Sequence, residues 1–416
     1  MSAVRPSAPE VAYDVAVVGA GPIGLAAALL ATHEAGIAPR RIVVVDRKIA
    51  EPPADLRSLA LDLRVFALSR ASERILRAAD AWPDIVASRA EAYERMQVWH
   101  ADVPPHGGDA LVFDAAEMGE RDLGVIVENA VLQAALIRAV RRAGIVLQEA
   151  DVTGLTHERA CAVLQTSAGD VRARLVIGAD GAQSRVRELA GLGTSRADYG
   201  QTALVAMVTT ARPHAHTAWQ RFLGDGTLAF LPLPDGRSSI VWSLPTARAE
   251  KLLLATPAQF ERELESDFDG ALGSVRLDSE RLKFPLWRLS AGSYVTTRIA
   301  LVGDAAHVVH PLAGQGANLG LLDAAALADV IGGGIAERED IGAARILRRY
   351  ERWRRSENDL MSGAIDAFDR LLARGTGRVA ELAQRGMPVV NRSPLAKRVF
   401  IERAMGLAGE LPAAAR

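Results

Sequence analysis

The chain reads as an α/β protein: a Rossmann-type dinucleotide-binding domain with an inserted antiparallel β-sheet substrate domain and a helical C-terminus. Three observations predict this. A buried-strand pattern, Asp14 to Val18, runs directly into Gly19-Ala20-Gly21-Pro22-Ile23-Gly24 and a helix of small apolar residues. A second glycine-rich turn, around Gly314 and Gly316, follows another buried strand near the far end of the chain. Between them, Gln201 to Leu244 breaks into short β-rich segments separated by Gly, Pro and Asp.

The elements follow in order. Pro22 to Ala35 is a helix closed by Gly36, and Arg41 to Val45 is a second buried strand ending in Asp46, which completes a βαβ unit. Leu63 to Ala79, rich in Arg and Ala, has a helical pattern. Asn129 to Ala143 is a helix with Val131, Leu132, Ala135, Leu136 and Val140 on one face, capped by Gly144. Ala162–Thr166 and Arg174–Ile177 are strands joined at Gly169-Asp170. Ala203–Thr209, Leu228–Leu231 and Ser239–Trp242 build the antiparallel sheet, and Ile299 to Val302 returns to a buried strand. From Ile346 onward the chain is mostly helical, with breaks at Gly375-Thr376-Gly377, Pro388 and Pro394. These patterns divide the chain into a discontinuous cofactor domain (residues 11–80, 107–190 and 290–345), a substrate domain (81–106 and 191–289) and a C-terminal helical segment (346–416).

Composition narrows the function. With 416 residues, 49% hydrophobic and 24% charged, the chain is long enough for more than one core. Lys plus Arg total 49 against 50 Asp plus Glu, a balance without the basic surplus that nucleic-acid binding needs. The single cysteine, Cys161, excludes an intrachain disulfide and a CxxC pair. No metal site is expected: His307 and His310 lack a third ligand nearby. The first ten residues contain no apolar signal core. The most apolar stretch, Val15 to Ala31, is interrupted by Gly19, Gly21, Pro22 and Gly24, and no other stretch is expected to span a bilayer. A cytoplasmic protein, peripheral on a membrane at most, is the expectation.

Two motifs point to one extended cofactor. In the first, Gly19 permits the tight turn, Gly21 lets backbone approach a pyrophosphate, and Gly24 lets helix pack on strand. Asp46 stands where a carboxylate can accept ribose hydroxyls. This fingerprint predicts an adenine dinucleotide without choosing between NAD and FAD. In the second, Asp304 follows a buried strand, and Pro311-Leu312-Ala313-Gly314-Gln315-Gly316-Ala317-Asn318 leads into an apolar helix, Leu319 to Ile331, whose N-terminus can face a phosphate or a flavin edge.

With Gly178-Ala179-Asp180-Gly181 between them, these motifs resemble the three fingerprints of the FAD-dependent aromatic hydroxylases of the p-hydroxybenzoate hydroxylase type, in the right order across nearly the whole chain. Leu63–Ser69, Tyr199-Gly200-Gln201-Thr202-Ala203, Ala229–Leu233, His310–Gly316, Ser356-Glu357-Asn358 and Asp366-Ala367-Phe368 are similar to the ubiquinone-biosynthesis hydroxylases. The resemblance implies FAD, molecular oxygen and a polyprenyl phenol or benzoquinol, hydroxylated through a flavin hydroperoxide. It gives Asp46 the adenosine ribose, Arg64 the pyrophosphate and Gln133 a contact from its helix. Asp180 falls on the middle motif, Asp304 at the ribityl or pyrophosphate region, and Gly316, Ala317 and Asn318 against the isoalloxazine, with Gly314 a cofactor-binding residue of the same turn. His310 and Pro311 are the catalytic candidates facing the substrate.

Phe230, Leu231 and Trp242 are candidates for an apolar substrate wall, although ordinary core packing is the better reading for any one of them. No second nucleotide motif is present, so electrons come either from a visiting NAD(P)H or from a protein donor. The alternatives are a hydroxylase of another aromatic compound, an FAD-dependent isoprenoid reductase and a non-catalytic flavin-binding assembly subunit. Residues 341–416 hold 15 Lys plus Arg against 8 Asp plus Glu. There Leu395, Val399, Phe400, Ile401, Met405 and Leu407 interleave with Lys397, Arg398 and Arg403, a pattern that suits either an anionic membrane or partner surface or a cationic face packed on the core. Oligomerisation is left open.

Overall fold

The computed structural model describes residues 11–310, 314–368, 370–371, 393, 397–398, 402–403 and 405–416. β1 (Tyr13–Val18), α1 (Pro22–His33) and β2 (Ile42–Asp46) form the βαβ unit that the sequence predicts. Next come β3 (Val65–Ser69), α2 (Arg70–Ala78), α3 (Trp82–Val86), β4 (Ala90–Tyr93), the hairpin β5 (Arg95–His100) and β6 (Leu111–Asp114), and β7 (Gly124–Glu128). The expected single helix over Leu63–Ala79 is therefore corrected to a strand and a helix. Val65 and Phe66 suit extended backbone, β3 pairs with β7, and the helix starts only where Ser69 Oγ accepts the Ser72 N–H at 3.2 Å.

α4 (Asn129–Ala143) leads to β8 (Val146–Glu149), β9 (Val152–His157), β10 (Ala162–Thr166), β11 (Val171–Gly178) and α5 (Arg185–Leu189). β12 (Thr194–Thr210), β13 (Thr217–Phe222), β14 (Thr227–Pro232), β15 (Ser238–Pro245), α6 (Thr246–Leu254), α7 (Pro257–Asp267), β16 (Val275–Leu277) and β17 (Leu282–Ala291) make up the inserted region. β18 (Val295–Thr296), β19 (Ile299–Leu301), β20 (His307–Val308), α8 (Gln315–Ala336) and α9 (Ala344–Phe368) follow.

Three sheets result among the described residues. The first has the order β18-β19-β11-β1-β2-β8, with β9 and β10 added beside β11. Its neighbours β19, β11, β1, β2 and β8 are parallel. Their near-continuous Val and Ile runs are covered on both faces, as a parallel sheet requires. The second is a long sheet, β20-β17-β12-β15-β14-β13-β5-β6, antiparallel except where β13 meets β5. The third, β3-β7-β4, is antiparallel.

The stretch around residue 106 divides differently from the sequence expectation. Trp82 and Ile85 of α3, expected with the substrate domain, pack in the core of the parallel sheet. β5 and β6 stand on either side of the expected boundary yet form one hairpin in the long sheet, because the register Arg95↔Asp114 to Val98↔Leu111 ties them together.

α8 also corrects an expectation, since its 22 residues are long and apolar enough to cross a membrane. Two-thirds of its most apolar window is nevertheless buried inside the protein, where it packs on α1 and α9. A helix apolar all round is what a core position produces. Of the C-terminal pattern, Leu395, Val399, Phe400 and Ile401 lie outside the described residues, as do Gly375, Thr376, Gly377, Pro388 and Pro394. Lys397 pairs with Glu117 at 2.7 Å, Arg398 with Glu402 at 2.8 Å, and Met405 is buried.

Candidate active site

The parallel sheet brings four carboxyl ends to one edge, the place where α/β sheets bind ligands. Gly19 follows β1, Asp46 ends β2, Gly178-Ala179-Asp180 closes β11, and Gly303-Asp304 follows β19. Backbone bonds lock the ends together: Gly19 N–H to Val45 O at 2.9 Å, Ala179 N–H to Val18 O at 2.8 Å and Val302 N–H to Gly178 O at 3.0 Å. Gly19, at φ +112°, has no room for a side chain, because a Cβ would stand 2.4 Å from Ala179 O. Gly21 differs: a Cβ there would meet nothing within 4 Å.

The two distant glycine-rich bends converge. Ile23, inside the first motif, fills the space against both Gly303 and Gly320, where added Cβ atoms would lie 3.2 Å and 3.0 Å from its side chain. α1 and α8 therefore meet at Ile23, near their N-termini. Neither has a side-chain cap, the arrangement of a helix end that receives an anionic or oxygen-bearing ligand. Gly314 begins α8 in the left-handed conformation against Ala67, and Gly316 faces open space.

The polar candidates separate into those that face the groove and those that build it. Asp304 faces it. Its carboxylate is exposed and makes no hydrogen bond to a described residue. Asp46 and Gln133 grip the first loop from two sides: Asp46 Oδ2 accepts Ala20 N–H at 2.6 Å, and Gln133 Nε2 donates to Ala20 O at 2.8 Å. Arg64 precedes β3 rather than lying on a helix, with its largely exposed guanidinium 3.4 Å from Asp62.

Asp180 does not reach outward. It receives Ser184 Oγ at 2.5 Å and the Arg185 and Val186 N–H groups at 2.6 and 3.0 Å, which caps α5. Asn318 likewise turns inward, since its Oδ1 accepts Ser69 N–H and Ser72 Oγ and its Nδ2 donates to Ala67 O. Its side chain is thus a brace between α8 and β3. Gly316 and Ala317 remain at the groove end of that helix.

A buried ion network, absent from the sequence expectation, holds the second bend. Asp323 of α8 is fully buried. Its Oδ2 accepts Gly303 N–H at 3.1 Å and lies 2.6 Å from His307 Nε2, while its Oδ1 accepts Arg354 Nε at 2.9 Å and Asn358 Nδ2 at 3.1 Å. Burial opposes ionisation, but His307 and Arg354 prevail and hold the carboxyl down to about 2. Arg187, also missed, donates to Ala305 O and Ala182 O, both at 2.8 Å, and so ties the middle motif to the third. The readable signal for Asp323 was a lone acid in the apolar run Leu319 to Ala328.

Strand alternation divides the long sheet into two faces. Leu204, Ala206, Phe230, Trp242 and Leu244 pack away from the groove beneath α6 and α7, with Phe230 stacked on Phe268 at 3.8 Å. Phe230 and Trp242 are therefore core. Leu231 projects oppositely, into a cluster with Val205, Met207, Phe284 and Ala67 that joins the long sheet to the three-stranded sheet beside Gly314.

His310, 1% exposed, is held by the protein: Nε2 lies 3.2 Å from Gln201 Oε1, and Tyr199 packs edge-on at 4.9 Å. It anchors the loop where β12 shifts register between Asp198 and Gln201. Pro311 lies outside the described residues.

These features fit FAD. Backbone stands open at Gly21 and Gly316, neither helix end carries a side-chain cap, and the Asp304 carboxylate makes no hydrogen bond to a described residue. Among solved structures, the fold is similar to p-nitrophenol 4-monooxygenase PnpA from Pseudomonas putida DLL-E4, with TM-score 0.73 at 19% identity over 96% of this chain and 98% of that one. It is also similar to Pseudomonas aeruginosa PqsL in complex with 2-aminobenzoylacetate, with TM-score 0.69 at 23% identity over 92% of this chain and 100% of that one.

The sequence is 35% identical to the 3-demethoxyubiquinol 3-hydroxylase of Escherichia coli K12, over 95% of this chain and 98% of that protein. It is 38% identical to the ubiquinone hydroxylase UbiL of Rhodospirillum rubrum, over 97% and 91%. The FAD binding domain family matches residues 12–358, and the chain belongs to that family, in the branch that holds the ubiquinone hydroxylases.

Proposed function

We propose that this protein hydroxylates the aromatic ring of a polyprenyl phenol or benzoquinol in ubiquinone biosynthesis, using FAD and molecular oxygen. The observation that carries this reading is the meeting of three motifs on one sheet edge, opposite an apolar face of a second sheet. FAD, when bound, supplies the oxidising chemistry. Gly21 and the first turn of α1 would receive its pyrophosphate, Asp304 a hydroxyl of its ribityl chain, and Gly316 and Ala317 its ring edge.

The rest falls to this chain. Val205, Met207, Leu231 and Phe284 exclude water and support an apolar ring and tail, and the Asp323 network keeps the Asp304 loop in place. The reductant we infer is either NAD(P)H or a protein donor, since a single nucleotide motif serves the flavin.

Incubation of the reduced holoenzyme with a prenylated phenol under isotopically labelled oxygen tests this reading. Label in the product ring is expected. A product that gains two hydrogens and no label would mean an isoprenoid reductase, and flavin that no donor can reduce would mean an assembly subunit. Asp304→Ala is expected to lower flavin retention during purification while leaving thermal stability of the flavin-free protein unchanged, because its carboxylate makes no hydrogen bond or ion pair with a described residue. Full FAD content in that variant would remove Asp304 from the site.

A further inference from the structure

Tyr93 ends β4 on the groove side of the three-stranded sheet, opposite Gly124. Its ring crosses that glycine. A Cβ built on Gly124 would stand 3.0 Å from the Tyr93 hydroxyl, 3.1 Å from the ring and 2.4 Å from Leu68 O. The missing side chain thus opens a slot through which the hydroxyl approaches the Leu68–Ser69 end of β3. Asn318 of α8 holds that same end through Ser69 N–H at 3.0 Å, and nearby Ala67 touches Gly314 at the helix start. Tyr93 therefore lies beside the bend that receives the ring edge of the cofactor.

The surroundings are apolar. Tyr93 packs against the cluster of Leu63, Ile126, Val205, Met207 and Leu233. Its hydroxyl makes no hydrogen bond to a described residue, yet it is not among the polar side-chain atoms sealed from solvent. Burial of the ring, with Asp122 nearby, pushes the phenol far above its ordinary range, so it stays protonated and can donate. A tyrosine hydroxyl on a largely buried ring ordinarily finds a partner. Among the described residues none supplies it, which leaves this hydroxyl available to an oxygen of a bound ring.

We infer that Tyr93 recognises the aromatic substrate by donating a hydrogen bond to a ring oxygen, fixing which carbon faces the flavin. This rests on the hydroxylase reading above. It gives the apolar face between the two sheets one point of polar selection, and it adds a specificity residue that none of the three motifs contains.

The test titrates oxidised holoenzyme, wild type and Tyr93→Phe, with 2-geranylphenol and with geranylbenzene, following the visible flavin spectrum. Wild type is expected to bind the phenol roughly tenfold more tightly than the hydrocarbon, the effect of one hydrogen bond. Tyr93→Phe is expected to bind the two within about twofold, with geranylbenzene affinity, FAD content and melting temperature as in wild type. A retained tenfold preference in the variant overturns the assignment. So does a clear loss of thermal stability, which would mean that the hydroxyl serves the protein. Failure of wild type to bind either probe strikes the substrate reading itself, and Tyr93 with it, and is recognised because it does not depend on the substitution.

Discussion

The two walls of the groove are built on opposite principles. The cofactor wall is determined by backbone geometry and buried charge: Gly19 against Ala179, Ile23 against two glycines, Gly303 held by Asp323. The opposite wall is one face of an antiparallel sheet, where alternation alone decides what projects into the groove. A wall that must match one invariant coenzyme is specified atom by atom. A wall that receives an apolar ring and tail needs the correct parity and enough space.

The largest effect expected from this contrast is at Asp323. Asp323→Ala leaves His307 and Arg354 buried beside a vanished charge and removes the acceptor of Gly303 N–H, which should destabilise the protein by about 3–5 kcal/mol and release the flavin. Calorimetry together with the ratio of flavin to protein absorbance measures both, and a change under about 1 kcal/mol would show that the network is dispensable.

The same carboxyl sets an acid limit. Its folded pKa of about 2 lies below the usual carboxyl value, so its stabilisation is complete above pH 4 and is lost as pH falls through about 2. The contribution is on the order of 2 kcal/mol. Acid-induced unfolding should therefore show less pH dependence in Asp323→Asn than in the wild type between pH 4 and pH 2.

The next effect distinguishes glycines that build the wall from glycines that face the ligand. Gly19→Ala forces a Cβ to within 2.4 Å of backbone and at φ +112°, so the flavin-free protein itself should lose about 2–4 kcal/mol. Gly21→Ala meets nothing in the protein, so stability without flavin should be unchanged while FAD affinity falls about tenfold or more. Melting curves with and without added FAD separate the two. Equal destabilisation of both flavin-free variants would erase the distinction.

The three motifs, the βαβ unit and the inserted sheet were legible because each depends on local patterns: glycines at a turn, and runs of Val or Ile. What was not legible depends on partners far apart in sequence. Asp180 and Asn318 carry motif positions, yet their side chains are used by α5 and by Ser69 and Ser72, which no spacing rule reveals. Asp323 draws on His307, Arg354 and Asn358 from other elements. The strand at Val65 was hidden by the arginines and alanines of the helix that follows it, because the pairing that makes it a strand is with β7. Tyr93 carries no motif at all, and only the bare Gly124 opposite gives its hydroxyl a direction.

The smallest effect tests parity on the substrate wall. Phe230 and Leu231 are adjacent in β14 but face opposite sides, one stacked on Phe268 and the other in the cluster beside Gly314. Phe230→Leu should cost about 1–2 kcal/mol of stability, with kcat and KM nearly unchanged, because it thins a core that no substrate enters. Leu231→Phe should do the reverse. Its extra ring takes space from the groove, so KM for a prenylated phenol should rise by about 3- to 10-fold while the melting temperature moves little. If the two substitutions exchanged these signatures, the sheet would present its other face to the flavin and the substrate wall would have to be rebuilt around Phe230 and Trp242. If both lowered stability alone, the cluster beside Gly314 would be sealed core, and the ring would have to enter along β15 and β13 instead.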